Sequence, residues 1–188
     1  MQSILLIGGS SSVGKTHLAR ILSARLGIQH ICVDELRKQI SDSNLHLLEE
    51  DETIWDFPAA DLLSRLFQEG FALEAHLSSL ITSWLADKEI NILEGEGIVP
   101  RVASQFMMTG KVNTIFVVET DENRLYRTLY ERSHAFQRLT EPRQRRIAEM
   151  NSLYGRWLLS EAEHYGLPWV YSQPWSSLPD RVLGFVHR

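Results

Sequence analysis

Apolar residues in this chain follow two alternating patterns. Short unbroken runs stop at glycines or carboxylates, and longer stretches carry apolar positions three and four residues apart. Residues 4–7 form the first run, which ends at Gly8 and Gly9. A run of this length bounded by glycine predicts a buried strand. From Lys15 the period becomes helical: Leu18, Ile21, Leu22 and Leu26 share a face, and Gly27 is placed to end the helix. Residues 29–33 predict a second strand, and a strand–loop–helix–strand unit sets its two strands parallel. Runs at 90–93, 114–118 and 169–171 predict three more strands. Helical spacing predicts a pair of helices at 59–67 and 71–85, broken near Gly70. Further helices are expected over 123–132, behind a Thr120-Asp121 cap, over 145–164, and over 178–186. In the 145–164 stretch Ile147, Met150, Leu153, Tyr154, Trp157 and Leu158 recur at helical spacing. Strands alternating with helices predict an α/β doubly wound fold.

Composition narrows this picture. The chain has 188 residues, which fits one domain over 1–188, and 44% of them are apolar, enough for a sizeable core. The formal charge of −5 argues against nucleic acid as the main partner. Cys32 is the single cysteine, so an internal disulfide is excluded and a cytoplasmic setting is expected. No apolar run is long enough to span a bilayer and no charged leader precedes the first run, so no membrane partner is expected. The seven histidines are scattered without metal-ligand spacing.

The chemistry concentrates after the first strand. Gly9-Ser10-Ser11-Ser12-Val13-Gly14-Lys15-Thr16 satisfies G-x-x-x-x-G-K-[ST] at every position. The glycines let successive N–H groups turn toward phosphate oxygens, and the helix that follows adds its N-terminal dipole. Lys15 is expected to reach the β- and γ-phosphates of a nucleoside triphosphate, and the Thr16 hydroxyl to ligate Mg²⁺.

In an open α/β sheet, ligands bind beyond the carboxyl ends of the strands. Carboxylates stand there after three strands: Asp34 and Glu35, Glu94 and Glu96, Glu119 and Asp121. Asp34 is the candidate base that takes a proton from a phosphoryl acceptor; its other reading is a cap on the helix beginning at Glu35. Glu94 is the candidate acid for the Mg²⁺ shell, with Gly95 and Gly97 leaving space beside it.

Arg124, Arg127, Arg132, Arg138, Arg143, Arg145 and Arg146 cluster between the fourth and fifth strands. A guanidinium fork suits the charge that spreads over a transferred phosphoryl group. Arg132 and Arg138 are the candidates for this role, because they flank the turn of a prospective lid over about 133–143. Arg124 is assigned to the nucleotide. The remaining arginines read as a solvated basic face paired with Glu141, Glu149 or Glu161. Trp175, in the loop after the last strand, is read as a border for the adenine or as packing.

These residues resemble the small-molecule kinase branch of the P-loop proteins. The stretch from Ile7 to Thr16, with Val33-Asp34-Glu35, is similar to chloramphenicol phosphotransferase and its relatives, where an aspartate at this place serves as base. Ile92-Leu93-Glu94-Gly95, followed by Ile98-Val99-Pro100, looks like the matching strand of 2-phosphoglycerate kinase-like proteins. The arginine-bearing segment resembles the lid of shikimate, gluconate and adenylate kinases. The resemblance implies a three-layer P-loop kinase fold with sheet order 2-3-1-4-5, helices on both faces and a helical lid, and ATP as donor. It leaves an acceptor-binding helical region, about 36–86, without a matching pattern. The leading expectation is an ATP- and Mg²⁺-dependent kinase acting on a hydroxyl of a small metabolite or antibiotic, as a monomer or homodimer. A nucleoside or nucleotide kinase, and an ATPase or nucleotide-binding switch with no acceptor, are the alternatives.

Overall fold

The computed structural model describes residues 3–40 and 52–186. In chain order its elements are β1 (Ile4–Gly9), α1 (Lys15–Leu26), β2 (Gln29–Cys32), α2 (Val33–Ile40), α3 (Ala59–Asp87), β3 (Asn91–Gly95), α4 (Pro100–Ser104), β4 (Val112–Val118), α5 (Glu122–Arg132), α6 (His134–Arg138), α7 (Glu141–His164), β5 (Trp169–Tyr171) and α8 (Leu178–Val186). The strands form one parallel sheet in the order β2-β3-β1-β4-β5, as the resemblance implies.

Side-chain alternation explains why these strands read as unbroken apolar runs. Ile4, Leu6, Leu93, Phe116 and Val118 join one core with residues of α3, α4 and α7. Leu5, Ile7, Ile92, Ile115 and Val117 join the other with residues of α1 and α8. A parallel sheet covered on both faces favours apolar residues at both alternating sets of positions, and the buried polar exceptions Asn91, Glu94 and Thr114 lie toward strand ends. Carboxylates appear only at the carboxyl ends of the strands, and the register sets Glu94, near the end of β3, beside Ile7 on one side and Cys32 on the other.

Three boundaries differ from the sequence expectation. The predicted pair of helices is a single helix, α3, which continues through Gly70. A glycine inside a helix costs about 1 kcal/mol relative to alanine. The stripe of Leu62, Leu66, Leu73, Leu77, Ile81 and Trp84 is buried along the whole helix, at about 1.5–3 kcal/mol per large apolar side chain. Burial outweighs the glycine, and the helix does not break. Second, β2 stops at Cys32 and Val33 already belongs to α2, so Asp34 lies in the first turn of that helix and not at its cap. Third, α7 starts at Glu141, where the missing N–H of Pro142 costs nothing in a first turn. The Asp121 cap is as expected: its side chain accepts from the Arg124 N–H at 3.1 Å. Of the acceptor region, the part from 41 to 51 lies outside the described residues. No helix among the described residues is long and apolar enough to cross a membrane.

Gly155 lets α7 ride directly on the end of β4. A Cβ at this position would stand 2.1 Å from the Glu119 carbonyl oxygen, which is backbone and cannot swing aside. At Gly70 a Cβ would meet nothing within 4 Å among the described residues. The two glycines should therefore respond with opposite sign. Gly155→Ala is expected to destabilise by about 1–3 kcal/mol through overpacking, and Gly70→Ala to stabilise by about 0.5–1 kcal/mol through helix propensity. Urea denaturation of both variants checks this, and a shift in the same direction for both would contradict the account.

Candidate active site

The loop from Gly9 to Thr16 joins β1 to α1 at the carboxyl edge of the sheet. Gly14 is the N-cap of α1 and has φ +94°, a left-handed conformation that strains any residue with a Cβ. No side chain caps this helix and its first turn carries no acid, which leaves the N-terminal N–H groups and the positive end of the dipole facing the cleft. The Lys15 Nζ donates to the Ser10 carbonyl at 2.6 Å, so the loop's cation rests on the loop itself. The Ser11 N–H is taken from behind by the Asn151 Oδ1 of α7 at 3.1 Å.

The loop opens on a cleft of about 350 Å³. Ser11, Ser12, Gly14, Lys15, Thr16, His17, Arg20 and Arg132 line it together with Asp34, Glu94 and Glu96. Of the residues singled out in the sequence, Lys15, Thr16, Asp34, Glu94 and Arg132 thus share one cavity. Gly9, Ser10 and Val13 lie behind its surface; Ser10 and Val13 are buried. Among the described residues the Ser10 hydroxyl has no hydrogen-bond partner.

The Thr16 hydroxyl donates to the Glu94 Oε1 at 2.9 Å, and the His30 Nε2 lies 3.4 Å from the same oxygen. Glu94 is almost fully buried, so these partners hold its carboxylate in one orientation. Neighbouring Cys32 is affected in turn. Burial, with a smaller contribution from the Glu94 carboxylate, pushes its thiol up to about 11, and the thiol stays protonated and unreactive at neutral pH. A hydroxyl and a carboxylate in contact are the oxygen donors a hard divalent cation takes. Among the described residues there is no group of three or more His, Cys, Asp or Glu that could hold a metal ion. That donor set suits Mg²⁺, which keeps most of its waters and shares the rest of its shell with phosphate oxygens.

The arginines separate into four groups. Arg132, at the end of α5, stacks over the Trp175 ring at 4.3 Å and reaches the cleft. Arg124 lines a second, shallower hollow of about 570 Å³ with Arg127, Thr128, Glu131 and the loop Gln173, Pro174 and Trp175. There it also faces Glu119 at 3.9 Å and Asp121 at 3.5 Å. Arg143, Arg145 and Arg146 hold structure. Arg143 grips Asp56 through two hydrogen bonds of 2.9 and 2.7 Å, and Arg146 donates to the Trp55 carbonyl at 3.1 Å. Arg145 covers Tyr126 and pairs with Glu141 at 3.6 Å. Arg138 is exposed at the end of α6 and is not among the residues lining the cleft.

Glu119 also has a structural place. Its carboxylate accepts from the Thr120 and Asp121 N–H groups at 3.0 and 3.1 Å and from the Ser172 hydroxyl at 3.2 Å, tying the loops after β4 and β5. Sequence reasoning passed over Asn151 and His30. A signal for Asn151 exists, because it is a polar residue in the apolar stripe Ile147, Tyr154 and Leu158. None exists for His30, whose partner is 64 residues away.

No family model matches the chain, and no curated protein matches it either. Solved structures do resemble it. A gluconokinase from Sinorhizobium meliloti 1021 superposes with a TM-score of 0.56 at 14% identity, over 100% of this chain and 93% of that one. A shikimate kinase from Aquifex aeolicus gives 0.53 at 16% identity, over 97% and 95%. A deoxyadenosine kinase from M. mycoides, solved with bound dATP, gives 0.52 at 11% identity, over 99% and 100%. At such identities the likeness is one of architecture: the chain has the fold of the P-loop kinases.

Proposed function

We propose that the protein is an ATP- and Mg²⁺-dependent kinase that transfers the γ-phosphoryl group to a hydroxyl of a small molecule. The observation that carries this reading is the shared cleft: a lysine at an uncapped helix N-terminus and the carboxylate of Asp34 line the same cavity. A carboxylate there can orient a water as well as an acceptor hydroxyl; what favours a kinase over an ATPase is the prospective lid over 133–143, which would keep water out. The nucleotide, when bound, supplies the phosphoryl group and its Mg²⁺ screens the phosphate charge.

The chain's own residues then have separable tasks. Lys15 leaves the Ser10 carbonyl and neutralises the β- and γ-phosphate oxygens. The Lys15 and Thr16 N–H groups cradle the phosphates. Thr16 offers its hydroxyl to the metal, and Glu94 holds the metal's water shell through its fixed carboxylate. Asp34 orients the acceptor hydroxyl and takes its proton. Arg132 spreads its guanidinium over the charge that develops on the transferred group. In this reading α2 and α3 form the acceptor side and the 133–143 segment the lid, with Arg138 carried inward on closure; Arg124 borders the nucleotide on the far side.

A second reading, a nucleoside or nucleotide kinase, draws on the aromatic cluster of Phe67, Tyr154 and Trp157. The Tyr154 hydroxyl donates to the Glu96 carbonyl beside the cleft at 2.7 Å. Acceptor-dependent ADP release, screened over sugars, polyols, nucleosides and hydroxylated antibiotics, separates the two readings. Steady ATP hydrolysis without any acceptor would instead identify an ATPase.

Three outcomes are expected. Lys15→Ala should leave the melting temperature near that of the wild type and lower turnover by about a hundredfold or more; unchanged turnover would remove the loop from the mechanism. Asp34→Asn should lower turnover by about a hundredfold or more with ADP affinity unchanged. Because Asp34 lies in a first turn, the lost charge–dipole term should cost only about 0.3–1 kcal/mol. A full-rate Asn variant would mean that positioning alone carries the transfer. The lid segment is anchored by Phe136, which packs on Leu129, Ile147 and Ala148, and by Gln144, which donates to the Phe136 and Leu139 carbonyls at 2.9 and 3.1 Å. Amide exchange over 137–142 should slow when an ATP analogue and acceptor are added, and equal protection in both states would rule out closure.

A further inference from the structure

The peptide that joins Ser10 to Ser11 is held on both sides. Its carbonyl accepts from the Lys15 Nζ at 2.6 Å, and its N–H donates to the Asn151 Oδ1 at 3.1 Å. The peptide is trans, and a planar trans unit turns its carbonyl and its N–H in opposite directions. The bond to α7 therefore fixes the direction in which the carbonyl faces Lys15. Asn151 is itself fixed. It is fully buried, and its Nδ2 donates to the Ile147 carbonyl at 2.9 Å, so both ends of its amide are engaged.

Lys15 is buried as well, in a cleft that Asp34, Glu94 and Glu96 also line. An ammonium in such a place is drawn to carboxylates, the more so as water is excluded. An ion pair formed there would have to break before a phosphate could take the lysine. A neutral carbonyl holds the ammonium less firmly than a carboxylate does, so it gives the cation up more readily. That carbonyl serves only while it faces the lysine. The peptide plane has a soft dihedral on either side, and turned over it would present Lys15 with an N–H. The Asn151 bond opposes that turn.

We infer that Asn151 is a positioning residue for Lys15: through the Ser10–Ser11 peptide it keeps the lysine on a neutral oxygen, apart from the carboxylates of the cleft and ready for phosphate. This rests on the nucleotide reading and adds to it a side chain that is not among the residues lining the cleft. Asn151 acts on the ligand only through the loop. The lysine that phosphate meets is already placed, so less side-chain freedom is lost on binding.

The test is a double-mutant cycle on the full chain, read by calorimetry as affinity for ADP. Asn151→Leu removes the acceptor and keeps a side chain of similar size. It should weaken ADP about tenfold and leave adenosine, which brings no phosphate, unaffected. In a Lys15→Ala background the same substitution should cost less than about twofold, because the group it positions is gone and effects on coupled residues do not add. A merely structural role would instead add equally in both backgrounds. A tenfold loss in both, no loss in either, or an equal loss for adenosine would overturn the inference and leave the nucleotide reading standing. A second measurement needs no substitution, and so holds even if the variants do not fold. The Ser11 amide of the ligand-free wild type should be protected from hydrogen exchange, and exchange at the rate of an unstructured peptide would overturn the inference. A wild-type chain that takes no ADP at all would remove the nucleotide reading, and this inference with it.

Discussion

One turn of α7 sets the relative positions of everything at the carboxyl edge of the sheet. Within five residues, Asn151 accepts from the Ser11 N–H, the Ser152 hydroxyl donates to the Thr120 carbonyl, the Tyr154 hydroxyl donates to the Glu96 carbonyl, and Gly155 rests on the Glu119 carbonyl. Three strand ends, β1, β3 and β4, are thereby referred to a single rigid element. The arrangement is local in α7 and remote everywhere else, which is why a bare Cβ at Gly155 threatens it more than the loss of any one hydrogen bond. Tertiary hydrogen bonds of this kind contribute about 0.5–1.5 kcal/mol each, but a shift of α7 would strain all of them together.

Electrostatics then decides what the aligned edge can hold. The start of α1 is left without a cap or an acid, while the carboxylates that the strands deliver are either occupied or held at a distance. Glu119 is consumed by its own loop, Asp121 by the start of α5, and Glu94 by Thr16 and His30. Asp34, from the first turn of α2, lines the same cleft as Glu94. The result is a cavity that brings Lys15, Arg20 and Arg132 together with Asp34, Glu94 and Glu96. The arginines show the same division of labour, with Arg143 and Arg146 fastened to the 52–56 turn and Arg132 left at the mouth.

Much of this was legible before any coordinates. The phosphate loop is contiguous, so its geometry is encoded within eight residues. Asp34, Glu94 and Glu119 could be placed because apolar runs mark the strands, and the first polar residue after each run must stand at the sheet edge. Periodicity gave the faces of α1 and α7 for the same reason. It did not give the continuity of α3, because the cost of Gly70 is a local quantity and the burial that overrides it is not. The partners of Asn151, His30, Trp175 and Arg143 were out of reach for a related reason. Each depends on how far a helix is rotated or a loop folded back, over separations of up to 140 residues, and no spacing in the chain records that angle.

The contacts made by that single turn of α7 have an evolutionary consequence. A phosphate loop tolerates drift around its fixed glycines and lysine, because the backbone supplies most of its chemistry. Asn151, Ser152, Tyr154 and Gly155 are constrained differently, since each meets a main-chain atom of another segment and none can change size without moving a strand end. Descendants of this chain should therefore keep Asn-Ser-x-Tyr-Gly as a unit while the exposed positions beside it diverge. Descendants in which these four positions varied as freely as their exposed neighbours would contradict that constraint.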